Sequence, residues 1–232
     1  MEPLKKLLRN ERSESDIQTA LMRELLLDGW YCLRTHGNAY QAGFPDVLAL
    51  HKRFGTRWIE VKRPKGIKFT QAQLDVFTKF SANRVGVWVL THENQKNLIH
   101  GAANWYTYLS SRGITLSKDG PKRIPKSGPE GKIQDSVISK LEERGWFCLE
   151  TYGNAYQSGL PDVFACHKTY GSKWIEFKNP DGYKFTAAQS DVFPRFAAEG
   201  VGIWILDGDT DVHINKLDGP ANWHTYLWPS LR

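Results

Sequence analysis

The chain has 232 residues, with 31 Lys and Arg against 25 Asp and Glu, a net charge of +6 and a pI of about 9.1. Its 41% hydrophobic and 12% aromatic residues suffice for a buried core, which excludes a disordered chain. No run of about 18 apolar residues is present, so we predict a soluble protein that has no transmembrane helix and no membrane partner. Three cysteines without a C-x-x-C pair argue against a disulfide framework or a cysteine zinc site. We therefore expect a folded protein of the reducing cytoplasm, and the basic balance suits a polyanionic partner.

The first hundred residues predict an α/β unit. Apolar residues of the segment 14–28 recur at helical spacing and stop at Gly29, which predicts an amphipathic helix. A second helix follows Thr70, which can cap residues 71–82, and a last helix falls within 102–111. Runs of β-forming residues predict strands at 30–35, 46–51, 57–62 and 85–90. The order αβββαβ predicts a mixed sheet flanked by helices, because the helix before the fourth strand supplies the crossover that parallel strands need.

This unit is written twice. A shift of 116 places residues 14–90 over 130–206 without a gap, and 42 of the 77 positions are identical. The similarity resumes where "GAANWYTYL" (101–109) matches "GPANWHTYL" (219–227). We predict a first unit at 1–109, a basic linker at 110–129 and a second unit at 130–232, since the middle segment is rich in Pro, Gly, Ser, Lys and Arg.

Positive charge is concentrated in the first unit and the linker. The first unit has 16 basic and 10 acidic residues, the linker has 5 and 1, and the second unit has 10 and 14. If the partner is a nucleic acid, the first unit and the linker should supply most of the non-specific contact with phosphates.

Two carboxylates and a lysine recur in "PDVLALHKRFGTRWIEVK" and "PDVFACHKTYGSKWIEFK". Side chains alternate along a strand, so Trp58, Glu60 and Lys62 share a face, and Asp46 approaches Glu60 if their strands pair as a hairpin. Carboxylates this close repel one another unless a cation lies between them, and hard oxygen ligands suit Mg²⁺. With Lys62 orienting a water molecule, such a site predicts hydrolysis of a phosphodiester.

The P-D and E-x-K spacing resembles that of the PD-(D/E)xK nucleases. The acid that begins the preceding helix, the Gly-rich loop before Pro45 and "EVKRPKGIKFTQAQ" resemble in particular archaeal Holliday-junction resolvases and VRR-type nucleases. The resemblance covers 14–90 and 130–206 and implies two tandem restriction-endonuclease-like units that form a pseudo-dimer. It implies Mg²⁺ as cofactor, with Mn²⁺ as a substitute.

The resemblance also implies roles for individual residues. The metal ligands would be Asp46, Glu60 and the main-chain carbonyl of Val61, and in the second unit Asp162, Glu176 and Phe177. Lys62 and Lys178 would be the catalytic lysines. Further acids near the metal and supporting glutamines would be Glu14, Gln73, Glu130 and Gln189.

DNA contacts are predicted in the loops and basic segments beside each site. The loops "THGNAYQAG" and "TYGNAYQSG" precede the two aspartates, and "KRPKGIK" adds positive charge that its second copy keeps only in part. A simple tight connection is an equal alternative for the loops. The predicted DNA-binding residues are Asn38, Tyr40, Gln41, Arg63, Lys65, Lys68, Asn154, Tyr156, Gln157 and Lys184.

The leading hypothesis is a Mg²⁺-dependent DNA endonuclease of the junction-resolving type, acting on branched or double-stranded DNA. Fusion of two units makes the dimer intramolecular, so one monomeric chain carries two active sites. The alternatives are a sequence-specific restriction-like or homing endonuclease and a DNA-binding module with a vestigial nuclease fold. Trp58 and Trp174 are predicted core residues, with base stacking as the alternative, and His51 and His167 end strands, with a phosphate contact as the alternative.

Overall fold

Two units with the same order of elements follow one another in the chain. The computed structural model describes residues 12–35, 42–109, 126–151 and 158–230. The first unit contains α1 (Glu14–Leu27), β1 (Tyr31–Arg34), β2 (Val47–His51), β3 (Gly55–Val61), α2 (Gln71–Ala82) and β4 (Val87–Leu90). The second contains α3 (Gly128–Glu143), β5 (Phe147–Glu150), β6 (Val163–His167), β7 (Gly171–Phe177), α4 (Ala187–Ala198), β8 (Ile203–Leu206), α5 (Asp211–Ile214) and α6 (Trp223–Ser230). The predicted αβββαβ order is confirmed in both units.

Each unit has one mixed four-stranded sheet. The strand order is β1-β2-β3-β4, with antiparallel pairing up to β3 and parallel pairing between β3 and β4. The second sheet repeats this order from β5 to β8. One face of the first sheet carries Ile59 and Val61 and packs against α1, while the other carries Trp58 and packs against α2. The alternation predicted for β3 is therefore confirmed.

The end of the first unit differs from its prediction. The helix expected within 102–111 is a 3-10 helix over Trp105–Tyr108, and a second 3-10 helix at Glu93–His100 was not predicted. The side chain of Asn104 explains the short helix, because it accepts a hydrogen bond from Val89 N–H (2.6 Å) and donates one to Val89 O (3.1 Å). These two bonds hold Asn104 against β4, so the helical turn begins only at the next residue, Trp105. None of the helices in the described ranges has the length and apolar composition that crossing a bilayer requires.

The two units share one aromatic core. The ring of Trp58 lies 5.2 Å from that of Phe164 and 6.0 Å from that of Trp174, its own counterpart in the second unit. Trp58 and Trp174 are 1% and 2% exposed, so both belong to the buried core. Aromatic rings contribute large apolar areas, and edge-to-face pairs add about 0.5 to 1.5 kcal/mol each. The contact between the units therefore resembles the interior of a domain.

Reciprocal contacts show that the interface is pseudo-symmetric. The ring of Phe80 lies 6.0 Å from Phe147, and its counterpart Phe196 lies 6.3 Å from Tyr31, the counterpart of Phe147. The preceding residues repeat the pattern as cation–π contacts, with Lys79 5.0 Å from Phe147 and Arg195 5.7 Å from Tyr31. When residue i of one unit contacts j of the other and j contacts i, the interface is isologous, as in two-fold dimers. The chain is a single-chain pseudo-dimer.

Truncation of the shared core should destabilise both units together. Phe80→Ala removes a fully buried ring that contacts Phe147 and Phe164 of the second unit, so we expect a loss of about 3 to 5 kcal/mol. Denaturant unfolding followed by fluorescence and circular dichroism should show one cooperative transition that shifts as a whole. The control Leu27→Ala, at a side chain 73% exposed, should change stability by no more than about 0.5 kcal/mol. Two separate transitions, with only the first unit affected, would contradict a common core.

Candidate active site

Strand β3 carries a buried glutamate at its carboxyl end. Glu60 shares a face with Trp58, and its side chain is 0% exposed. Its Oε1 atom lies 2.6 Å from Nζ of Lys62 and accepts a hydrogen bond of 2.5 Å from Nε2 of Gln73. Two donors on different elements thus converge on one carboxylate oxygen.

The start of helix α2 orients Gln73. Thr70 caps the helix, since its hydroxyl accepts from Gln73 N–H (3.2 Å) while Oε1 of Gln73 accepts from Thr70 N–H (3.1 Å). This capping box fixes the amide, so that its Nε2 donates to Glu60 and its Oε1 also accepts from Lys62 at 3.4 Å. A local sequence rule for starting a helix therefore also fixes the geometry of the site.

Asp46 lies beside the peptide that follows Glu60. Its Oδ2 atom accepts a hydrogen bond of 2.8 Å from Val61 N–H. Its main-chain carbonyl accepts from Thr35 N–H at 3.0 Å and from Nε2 of the buried Gln18 at 3.1 Å. Hairpin pairing of β2 with β3 places Asp46 and Glu60 at the same end of the sheet, as the sequence predicted.

Glu14 completes the group from the first turn of α1. Its Oε1 atom accepts a hydrogen bond of 3.1 Å from Arg63 N–H, directly after Lys62. Four of the side chains assigned to the first site thus meet where β2 begins and β3 ends, namely Asp46, Glu60, Lys62 and Gln73. The fifth, Glu14, holds the main chain directly after Lys62.

The second unit repeats these contacts. Glu176 lies 2.6 Å from Lys178 and 2.5 Å from Nε2 of Gln189. Asp162 accepts from Phe177 N–H at 2.8 Å, and Glu130 accepts from Asn179 N–H at 2.9 Å. In this unit, Nζ of Lys126 also lies 2.7 Å from Oδ1 of Asp162.

Burial dominates the electrostatics of the two glutamates. It raises the pKa of Glu60 from 4.5 to about 8, the charge of Asp46 adds to the rise, and Lys62 and Gln73 oppose it. The pKa of Glu176 is raised for the same reasons, by burial first and then by Asp162. The ion pair with lysine favours the charged form, but desolvation outweighs it. In each site the cost of burying the glutamate charge therefore exceeds the stabilisation that the lysine and the glutamine provide.

The uncompensated atoms are specific oxygens. The second carboxylate oxygen, Oε2, of both Glu60 and Glu176 is buried without a hydrogen-bond partner in the described part of the chain. A buried polar atom without a hydrogen-bond partner lowers the free energy of unfolding by about 1 to 3 kcal/mol, and by more if the group is charged. A divalent cation between Asp46 and Glu60 would remove this cost, so the donor set fits a hard metal ion.

Among the described residues, two acidic side chains at each site are placed to hold a metal ion, Asp46 with Glu60 and Asp162 with Glu176. Within the described ranges, no group of three or more His, Cys, Asp and Glu side chains is close enough to hold a metal. A magnesium ion accepts so few protein ligands, because it retains waters and completes its shell with phosphate oxygens. The predicted third ligands, the main-chain carbonyls of Val61 and Phe177, adjoin the peptide N–H groups that hold the two aspartates.

Only some of the predicted DNA-binding residues are described. Arg63, Lys65 and Lys68 are exposed on the connection between Lys62 and α2, and Lys184 is exposed on the equivalent connection. They flank the sites on the side where β3 and β7 end. The remaining six lie outside the described residues, namely Asn38, Tyr40, Gln41, Asn154, Tyr156 and Gln157.

Two alternatives from the sequence are wrong. Base stacking by Trp58 or Trp174 is incompatible with their burial between the units. A phosphate contact by His51 at the site is also excluded, because this residue ends β2 at the opposite end from Asp46. Its Nδ1 accepts from Arg53 N–H at 3.0 Å, and its ring lies 5.1 Å from Trp30.

The residues that hold the main chain of Asp46 and Asp162 were not predicted from the sequence. Gln18 and Thr35 hold the main chain of Asp46. In the second unit Thr151 holds the main chain of Asp162, while Gln134, the counterpart of Gln18, contacts Lys126 and Glu150. The sequence does contain a sign of this role, because the glutamine next to the first apolar residue of α1 is identical in the two copies. The structure shows that both glutamines are buried. Lys126 was missed because it falls in a segment whose composition indicates a linker.

Comparison with known proteins gives a structural similarity. No protein-family model matches the sequence, and no curated protein matches it. A solved structure described as a VRR_NUC domain matches with 20% sequence identity and a TM-score of 0.34. The match covers 38% of this chain and 92% of that one.

Gly43 should be required for the loop that leads to Asp46. It has φ +98°, and a Cβ there would collide with the carbonyl of Ala72 and lie 2.8 Å from Val76, in the helix that carries Gln73. Gly43→Ala should cost about 2 to 4 kcal/mol in unfolding free energy, from strain and overpacking together. Gly66→Ala is a matched control, since φ is +70° and nothing lies within 4 Å of the added carbon. It should cost only about 1 to 2 kcal/mol, and equal losses for the two variants would contradict the close packing.

The raised pKa of Glu60 predicts how stability depends on pH without divalent metal. The folded state binds a proton more tightly than the unfolded state, so this stabilisation is complete below pH 4.5 and is lost as pH rises through about 8. The unfolding free energy should fall across this window by up to about 1.4 kcal/mol per pH unit for each glutamate. Glu60→Gln with Glu176→Gln should flatten the profile in denaturant titrations, whereas exposed Glu143→Gln should not. A profile unchanged by the double substitution would contradict the shift.

Proposed function

We propose that the chain is a Mg²⁺-dependent DNA endonuclease with two active sites. One observation carries the proposal, namely a buried glutamate held by a lysine and a capped glutamine beside an aspartate, built twice. Corresponding distances in the two units agree to within 0.1 Å for these contacts. The resemblance to PD-(D/E)xK nucleases assigns the same residues to catalysis.

A purely structural role does not account for this group. Replacing a buried ion pair by apolar residues of similar volume is often neutral or stabilising, so stability alone gives little reason to keep one. The partnerless Oε2 atoms of Glu60 and Glu176 make the arrangement costlier still. Side chains with strongly perturbed pKa values cluster at functional sites, because catalytic groups need pKa values matched to their task. The site is better explained by a reaction than by folding.

Each residue has a defined task in the proposed reaction. Asp46 and Glu60, with the carbonyl of Val61, would hold the magnesium ion. When bound, the ion supplies a Lewis acid for the scissile phosphate and lowers the pKa of a coordinated water. Lys62 would orient the attacking water and offset negative charge on the phosphate, because its ammonium lies 2.6 Å from Glu60 at the same place.

Two residues position this group without touching the substrate. Gln73 holds both Glu60 and Lys62, and the capping box limits its rotation. Glu14 accepts a hydrogen bond from the main chain directly after Lys62 and so fixes the backbone position of this lysine. Such support matters because a displacement of about 1 Å at a reacting group can cost about 100-fold in rate.

Branched or double-stranded DNA is the proposed substrate. Arg63, Lys65 and Lys68 are exposed on the connection that follows Lys62 and add positive charge suited to a phosphate backbone. The isologous interface relates the two sites by a pseudo-two-fold axis, which suits a substrate with two equivalent strands. A four-way junction has this symmetry, and so we propose junction-type structure selectivity.

Removal of both aspartates should abolish cleavage but keep binding. In Asp46→Asn with Asp162→Asn, the Mg²⁺-dependent cutting rate should fall at least about 100-fold, because each site loses a charged metal ligand. Gel-shift affinity for the same DNA should change by no more than a few-fold. The control Asp135→Asn changes an exposed carboxylate on α3 and should leave both measurements unaltered. Undiminished cleavage by the double variant would refute the site.

The substrate is decided by a panel assayed with Mg²⁺. It compares a mobile four-way junction, a linear duplex and a single strand of matched length. Preferential cutting of the junction is the expected result. Cutting of the duplex at a fixed sequence would replace junction selectivity with a restriction-like activity, and binding without any cutting would indicate a vestigial fold.

A further inference from the structure

The second site contains a cation from its own chain. Nζ of Lys126 lies 2.7 Å from Oδ1 of Asp162 and 2.6 Å from Oε1 of Gln134. The other oxygen of Asp162, Oδ2, accepts from Phe177 N–H. Both oxygens of a proposed metal ligand are therefore engaged, one of them by an ammonium group.

Neighbouring residues are adapted to this lysine. Gln134 turns its oxygen to Lys126 while its Nε2 donates to Glu150 at 2.9 Å. In the first unit the counterpart Gln18 instead donates to the main chain of Asp46. The sequence differs accordingly, because Arg34 stands where the second unit has Glu150, and Asn10 stands at the position of Lys126.

A glycine admits the backbone of Lys126 next to helix α3. A Cβ at Gly131 would lie 2.7 to 2.8 Å from Cβ, C and O of Lys126, and the first unit has Ser15 at this position. Contacts tighter than about 3 Å cannot be accommodated against backbone atoms without a shift. The lysine, its acceptor Gln134 and the glycine beneath it form one built feature of the second unit.

We infer that Lys126 competes with the divalent ion for Asp162, so that metal binding at the second site displaces this lysine. The inference rests on the proposed function, which makes Asp162 a metal ligand. An ammonium and a divalent cation repel each other strongly when both approach one carboxylate oxygen. Binding of the ion at Oδ1 of Asp162 therefore displaces Lys126, and the loss of this contact lowers the apparent metal affinity of the second site.

The test measures metal binding in the full chain rather than activity. Asp46→Asn with Glu60→Gln disables the first site, and Mn²⁺ binding is then followed by electron paramagnetic resonance of the free ion and by calorimetry. Adding Lys126→Met should tighten Mn²⁺ binding about 10-fold, and Lys126→Gln should act alike. Lys126→Arg, which retains a cation, should leave the affinity near that of the parent.

The matched control separates a local contact from net charge. Lys132→Met removes one positive charge from an exposed position of helix α3, six residues after Lys126, and should tighten binding far less than Lys126→Met. Equal effects of the two variants would overturn the inference but leave the proposed function intact. No Mn²⁺ binding by the wild-type chain or any variant would overturn the proposed function itself.

A second readout follows the lysine directly. Acetylation of Lys126 by an amine-reactive ester, quantified by mass spectrometry, should rise several-fold when Mn²⁺ saturates the site, because the amine leaves its carboxylate. Labelling of Lys132 should stay constant. Labelling of Lys126 that is unchanged at saturating Mn²⁺ would also overturn the inference.

Discussion

The two-residue alternation of β3 and β7 is the constraint on which this molecule depends. It places Trp58 and Glu60 on the same face, so one strand supplies both the centre of the inter-unit core and the acid of the site. Two residues along a strand span about 6.6 Å, so the apolar contact and the charged group are close neighbours. The pseudo-dimer interface and the sites are therefore built on the same two strands.

The groups around that buried carboxylate are held by the ends of helices and strands. The start of α2 supplies Gln73, the start of α1 supplies Glu14, and the peptide after Glu60 binds Asp46. Each contact uses a group whose position regular secondary structure already fixes, so little side-chain freedom remains to be lost. Proteins commonly give up stability to keep such a site, and the partnerless glutamate oxygens represent that loss here.

The sequence predicted what depends on local periodicity. The strand containing Glu60, the helix capped by Thr70 and the shared face of Glu60 and Lys62 follow from alternation and capping alone. The partner of Trp58 could not be predicted. In a single unit the ring would be exposed whether it packs against a second unit or stacks on a base, so the sequence of one unit does not distinguish the two roles. Lys126 could not be assigned either, since its contact with Asp162 joins residues 36 positions apart in a segment of linker composition.

The interface has diverged although it is pseudo-symmetric. Phe164 packs against Trp58 and Phe80, whereas its counterpart in the first unit is the smaller Leu48. A homodimer of first units would lose the phenylalanine that packs against Trp58 and Phe80, and large-to-small changes in a core leave cavities. Neither half can now replace the other without repacking. Gene fusion has thus become difficult to reverse, because each half has evolved to complement a partner that is no longer its copy.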